Sequence, residues 1–182
     1  MNNQLIITKP TSDEYPEWFA AEIELVHYND LIRGLQDSLN KTLTFLHKIT
    51  EQDLQYRYAP GKWSIKQIWQ HIIDVERVLT YRALRFARKD ETALPGFDEK
   101  RFAASAKADK RKWNDLVEEF TSLRKATEIM FGSFDNEQLE SAGIASDVSM
   151  YVLGIGYIIV GHCEHHMLIL KEKYFEKESQ PV

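Results

Sequence analysis

The sequence predicts an all-α protein, a four-helix bundle, on three observations. Four stretches repeat apolar residues at steps of three and four. No stretch alternates convincingly enough to be a strand. One helix start carries a full capping signature, Ser64 with Gln67 three residues on.

Residues 1 to about 14 are polar, are interrupted by Pro10 and read as a lead-in. Glu17 to Val26 fits a short helix with Trp18, Phe19, Ile23 and Val26 toward the body. A first long helix runs from Asn29 or Asp30, either a good N-cap, to about Ile49, with Leu31/Ile32, Leu35, Leu39, Leu43 and Leu46 as its stripe. Pro60-Gly61 breaks structure. Ser64 restarts it, with Trp63 and Ile68 placed as a hydrophobic staple. This second helix is expected to reach about Arg88, with a seam at Ile68, His71, Val75, Val78 and Arg82. Residues 89–108 lack periodicity apart from a partly helical Lys100 to Lys107. A third helix is expected from about Asp109 to Phe131, with Trp113, Leu116/Val117, Phe120, Leu123 and Met130 inward and Gly132 as its stop. A helical turn at Asp135 to Glu140 and a small-residue loop lead to a fourth helix, starting near Asp147 or Ser149 and ending near Glu176.

The second helix is about 37 Å long, and the connection of about 20 residues after it can span up to about 66 Å. The chain can therefore return to the other end, which favours up-down-down-up topology. The expected organisation is an N-terminal extension over 1–27 packing on the body, a bundle domain over 28–176, and a tail over 177–182.

The bulk numbers exclude several classes. A chain of 182 residues can bury a core, and 43% hydrophobic with 28% charged residues is ordinary for a globular protein. Net charge is −5 and no basic stripe is visible, which argues against nucleic acid as a partner. The apolar run Tyr151 to Val160 is too short to span a bilayer, and the N-terminus lacks the pattern of a secretory signal. Cys163 is the only cysteine, so no internal disulfide or thiolate cluster is available. The expectation is a cytoplasmic protein with a small-molecule substrate and no membrane partner.

Chemistry concentrates where imidazoles interrupt apolar stripes. On the fourth helix the seam Val152, Ile155, Ile159, His162, His166, Ile169 holds two histidines four residues apart. On the second helix His71 does the same. Neutral histidine is a common metal ligand, and bundle cores build metal sites from facing helices. Three imidazoles leave a divalent ion with positive charge and an open position for water, substrate or a thiol. The alternative is three buried histidines bonded to their neighbours. Asp74 either orients the His71 imidazole as a hydrogen-bond acceptor or pairs with Arg77. His165 is expected to be peripheral. Cys163, about 100° around the helix from His162, reads as a packed thiol, and Glu164 as solvated. His27 and His47 read as surface or interface residues. Tyr58, Lys62 and Trp63 are candidates for a cavity mouth.

Three pieces, YAPGKWSIKQIWQHIIDVERVLTYRALRFAR, LPGFD and IIVGHCEHHMLILKEKY, carry a resemblance to the DinB/YfiT-like metalloenzymes, extending over about residues 28–175. The resemblance implies an up-down-down-up bundle, metal ligands at His71, His162 and His166, nickel or zinc as the ion, and dimers. It also implies either hydrolysis or S-transfer with a low-molecular-weight thiol. The alternative is a non-catalytic, metal-stabilised dimeric bundle or stress-response binding module.

Overall fold

The computed structural model describes residues 9–11, 15 and 17–175, apart from the side chain of Trp18. The expected inward Trp18 and the tail over 177–182 lie outside the described residues. A 3-10 turn, Glu17–Phe19, opens the short helix α1, Ala20–Glu24. Ile23 and Val26 are buried against the body as the spacing predicts. Helix α2, Leu31–Leu46, starts at Asp30, whose carboxylate accepts from the Arg33 N–H at 2.8 Å. Helix α3, Ile65–Ala87, starts on the expected capping box: Ser64 Oγ accepts from the Gln67 N–H at 3.2 Å, and Gln67 Oε1 accepts from the Ser64 N–H at 3.1 Å. The aperiodic connection holds a helix α4, Glu99–Ser105, capped by Asp98. Helix α5, Trp113–Gly132, begins later than the expected Asp109, because Ala108–Lys110 forms a separate 3-10 turn. Helix α6, Asn136–Glu140, is capped by Asp135.

The small-residue loop is not a loop. It is an antiparallel hairpin of β1, Ala142–Ala145, and β2, Val148–Tyr151, so the expectation of no strand is corrected. Its turn residues Ser146 and Asp147 both have positive φ, 54° and 63°, the geometry of the tight hairpin turn. The turn consumes Asp147 and Ser149, and helix α7 therefore starts later than expected, at Val152, and runs to Ile169. A π-helical segment, Leu170–Phe175, completes it. Leu94 pairs with the hairpin: its N–H donates to the Ile144 carbonyl at 2.9 Å, and its carbonyl accepts from Ser146 at 3.0 Å. The connection after α3 is thereby pinned across the fold.

Helix α3 is the pivot, buried toward both α5 and α7. Trp69, fully buried, meets Phe120 with ring centroids 4.8 Å apart and Trp113 at 6.2 Å. Leu79 rather than Val78 takes the fully buried position on its seam. On α5, Leu123 and Met130 are only half-buried, while Arg124 and Thr127 are buried beside Phe120 and Phe131. The reason is Glu76 on α3, also buried, which binds both of them. Helix α7 is apolar enough and, with its π-helical extension, long enough to cross a membrane (Val152–Phe175, mean hydropathy 1.3), unlike the shorter run read from the sequence. Here it serves as the core helix, with 61% of its apolar stretch buried inside the fold. Two glycines allow that close packing. A Cβ on Gly156 would lie 2.4 Å from Leu31, and one on Gly161 would lie 2.1 Å from the Glu22 carbonyl oxygen.

Candidate metal centre

His71 lies near the start of α3, and His162 and His166 lie in the second half of α7. Because 162 and 166 are one turn apart, both imidazoles leave α7 on one side, toward α3. His71 Nε2 lies 3.1 Å from His162 Nε2, and His166 Nε2 lies 3.2 Å from the same atom. One donor atom from each residue falls within 4.8 Å of the other two. Nitrogen ligands about 2.0–2.1 Å from a tetrahedral ion sit about 3.3 Å apart, close to the two separations to His162. Trp63 packs on His71, with ring centroids 4.9 Å apart.

All three imidazoles are held neutral. Burial lowers His71 to about 4. Burial, then the charges of His71 and His165, lower His166 to about 3. His162 is lowered well below its ordinary value by burial first and by the neighbouring histidines next. A neutral imidazole presents a free lone pair, the form that coordinates metal.

The three rings line a cavity of about 300 Å³. Its apolar walls include Phe19, Val75, Leu79, Phe97 and Ile158. Glu22, Glu99 and Arg82 also line it. Arg82 Nη2 donates to Ser146 Oγ at 2.9 Å and to the Pro95 carbonyl at 3.3 Å. Burial lowers the Arg82 guanidinium while Glu99 opposes that shift. The Glu99 carboxyl is raised, by burial and then by the negative charge of Glu22. A second cavity, about 550 Å³, shares Trp63 and His166 with the first and is also lined by Tyr58, Lys62, Lys100 and Tyr174. Tyr58, Lys62 and Trp63 are thus cavity residues, as expected.

Other expectations divide. His165 lines the first cavity outside the three-nitrogen cluster, with its ring 5.3 Å from that of His166. Cys163 is fully buried, 3.7 Å from Thr42 Oγ1, and burial pushes its thiol up, which suits a packed, unreactive group. Glu164 is half-buried rather than fully solvated and lines a separate cavity. Asp74 does not orient His71: its carboxylate accepts from Gln70 Nε2 at 2.9 Å and lines a different cavity, about 870 Å³, beside Arg111. Nor does it form the expected pair, since Arg77 Nη2 binds Glu119 at 2.7 Å. The buried Nδ1 of His166 has no partner among the described residues.

Glu22 and Glu99 were not singled out from the sequence. The signal for Glu22 is the one that marks the histidines. Phe19, Glu22, Ile23 and Val26 stand at steps of three, one and three, so a carboxylate interrupts an apolar stripe. Glu99 lies where no period exists to interrupt.

Comparison with known proteins finds relatives of this chain. The family model of the DinB superfamily matches residues 35–170. A protein of Oceanobacillus iheyensis named "Putative metal-dependent hydrolase OB0413" is 23% identical over 158 residues, covering 82% of this chain and 85% of the relative. The solved structure of YfiT from Bacillus subtilis is described as a probable metal-dependent hydrolase with an unusual four-helix bundle topology. It superposes with a TM-score of 0.66 at 15% identity, over 90% of each chain. That likeness establishes a shared four-helix bundle fold. The chain belongs to the DinB superfamily.

Proposed function

We propose that this protein is a metal-dependent hydrolase whose single divalent ion, zinc or nickel, is held by His71, His162 and His166. The observation that carries the reading is the convergence of three Nε2 atoms, two of the separations being 3.1 and 3.2 Å, at the wall of a cavity large enough for a small substrate. An ion bound there supplies a Lewis acid with an open position for water or substrate. The chain's own part is to keep three imidazoles neutral, to exclude bulk water with Phe19, Phe97 and Ile158, and to set charged groups around the open side. The names of the two relatives agree with hydrolysis.

A second reading, S-transfer with a low-molecular-weight thiol, draws on Lys62 and Lys100 in the adjoining cavity. Their ammonium groups suit an anionic thiol reaching His166. The non-catalytic module is disfavoured because the cluster contains three donors, among the described residues, rather than a closing fourth. Side-chain pairings support up-down-down-up topology. Gln70 meets Arg111, and Glu76 meets Arg124 and Thr127, so α3 and α5 run together. Leu31 meets Gly156 and Thr42 meets Cys163, so α2 and α7 do too, while His71 and His162 pair the start of α3 with the later part of α7. We further propose a cytoplasmic homodimer, with 1–27 as an extension packed on the 28–176 domain and 177–182 as a tail.

The test is to strip the purified protein with a chelator, reload it with zinc or nickel, and screen esters, amides and low-molecular-weight thiols with an electrophile. Turnover that vanishes on stripping and returns on reloading is expected. Turnover indifferent to metal would overturn the reading.

A further inference from the structure

Glu22 is the charged group whose position the described contacts explain least. It belongs to α1, which reads from the sequence as a packed extension, yet it lines the three-histidine cavity. Its Oε2 is buried and has no hydrogen-bond partner among the described residues. A buried carboxylate oxygen without a donor costs free energy, so its natural complement is a donor arriving in the cavity. The backbone holding it is fixed beside the ligands. The Glu22 carbonyl oxygen sits 2.1 Å from where a Cβ on Gly161 would be, and Gly161 directly precedes His162. Only a glycine at 161 lets α1 approach α7 so closely. Glu99, the other carboxyl in the cavity, faces Arg82, whereas Glu22 forms no ion pair among the described residues.

We propose that Glu22 is the proton acceptor on the open side of the three-histidine site, taking a proton from the attacking water. The step rests on the hydrolase reading above. As the water oxygen forms its bond to the substrate carbonyl carbon, one of its protons passes to a Glu22 carboxylate oxygen. As the bond to the leaving group breaks, the departing nitrogen or oxygen takes that proton back, and Glu22 returns to the carboxylate. General-base assistance of this kind contributes typically about 10²–10⁴-fold. Glu22 lies outside the set of mutually adjacent donor atoms, which fits a group acting on water rather than a fourth ligand.

The test uses cobalt(II) as the probe, in the whole chain without its native metal, because the visible spectrum of cobalt reports on its coordination. Glu99 from α4, Arg82 and His71 from α3, and His162, His165 and His166 from α7 also face this cavity. A single variant must therefore isolate Glu22. At one fixed neutral pH the wild-type spectrum is expected to report cobalt whose open position faces the Glu22 carboxylate. Glu22→Gln is expected to shift that spectrum while keeping cobalt affinity within about threefold, and Gly161→Ala, which displaces α1, to shift it too. A Glu22→Gln spectrum identical to that of the wild type would overturn the proposal. Loss of affinity by more than tenfold would make Glu22 a ligand instead, also against it. A spectrum shifted by Glu99→Gln and not by Glu22→Gln would reassign the base. Failure of the wild type to bind cobalt at all would overturn the three-histidine reading on which the proposal stands. Metal bound normally with no effect at Glu22 would overturn this proposal alone.

Discussion

Burying an imidazole is tolerable only while it is neutral, and that fact ties the protonation of His71, His162 and His166 to stability. Their values in the folded protein lie below the ordinary 6.5, at about 4 for His71 and about 3 for His166. The unfolded chain therefore binds more protons than the folded one as pH falls below 6.5. The stability of the metal-free protein should be intact above that value and decline progressively as pH falls toward about 4. Urea midpoints across this range should show the decline, and His71→Asn should flatten it; identical slopes would contradict the assignment. The same residues were the most legible part of the site, because each interrupts an apolar stripe at helical spacing. Glu22 does likewise on a helix too short to draw attention. Asp74 misled because its three-residue step from His71 says nothing about Gln70, which claims its carboxylate from the preceding turn.

Between elements, the strongest polar link joins α3 to α5. Arg124 Nε and Nη2 donate to the Glu76 carboxylate at 2.9 to 3.1 Å, and Thr127 Oγ1 adds a bond at 2.8 Å. The Arg124 and Glu76 side chains are 0% and 2% exposed. Burial would push the Arg124 guanidinium down, and Glu76 overrides it. Removing one partner leaves a buried charge, so Glu76→Ala should cost about 3–5 kcal/mol, and Glu76→Leu with Arg124→Met should recover much of that loss. Chemical denaturation of the single and double variants measures both; a loss under about 1 kcal/mol in Glu76→Ala would contradict the account. Helix periodicity led instead to Leu123 and Met130, because a stripe search discards charged residues. The hairpin was illegible for a different reason. Its strands are four residues each, rich in small side chains, and its turn is Ser146-Asp147 where Asn-Gly is the usual signal. The Ser64 start of α3 was readable because capping is local, needing only Ser64, Gln67 and the break before them.

The molecule as a whole turns a bundle into a site by bringing the start of α3 against the second half of α7 and closing the cavity with α1, α4 and the loop carrying Phe97. The number of long helices follows from periodicity. Their pairing does not, because connections of some 20 residues permit several arrangements. Residue pairs such as Glu76 with Arg124 and Thr42 with Cys163 show that α3 lies beside α5 and α2 beside α7. The covering by α1 depends on Gly161, a position a sequence reader passes over as one more small residue in an apolar helix. The measurement that tests the central claim most directly is elemental analysis of the protein purified without a histidine tag, beside His162→Ala. The account predicts about one zinc or nickel per chain in the wild type, lost in the variant with helical content retained. Protein that holds no metal and takes up none when zinc or nickel is added would contradict it.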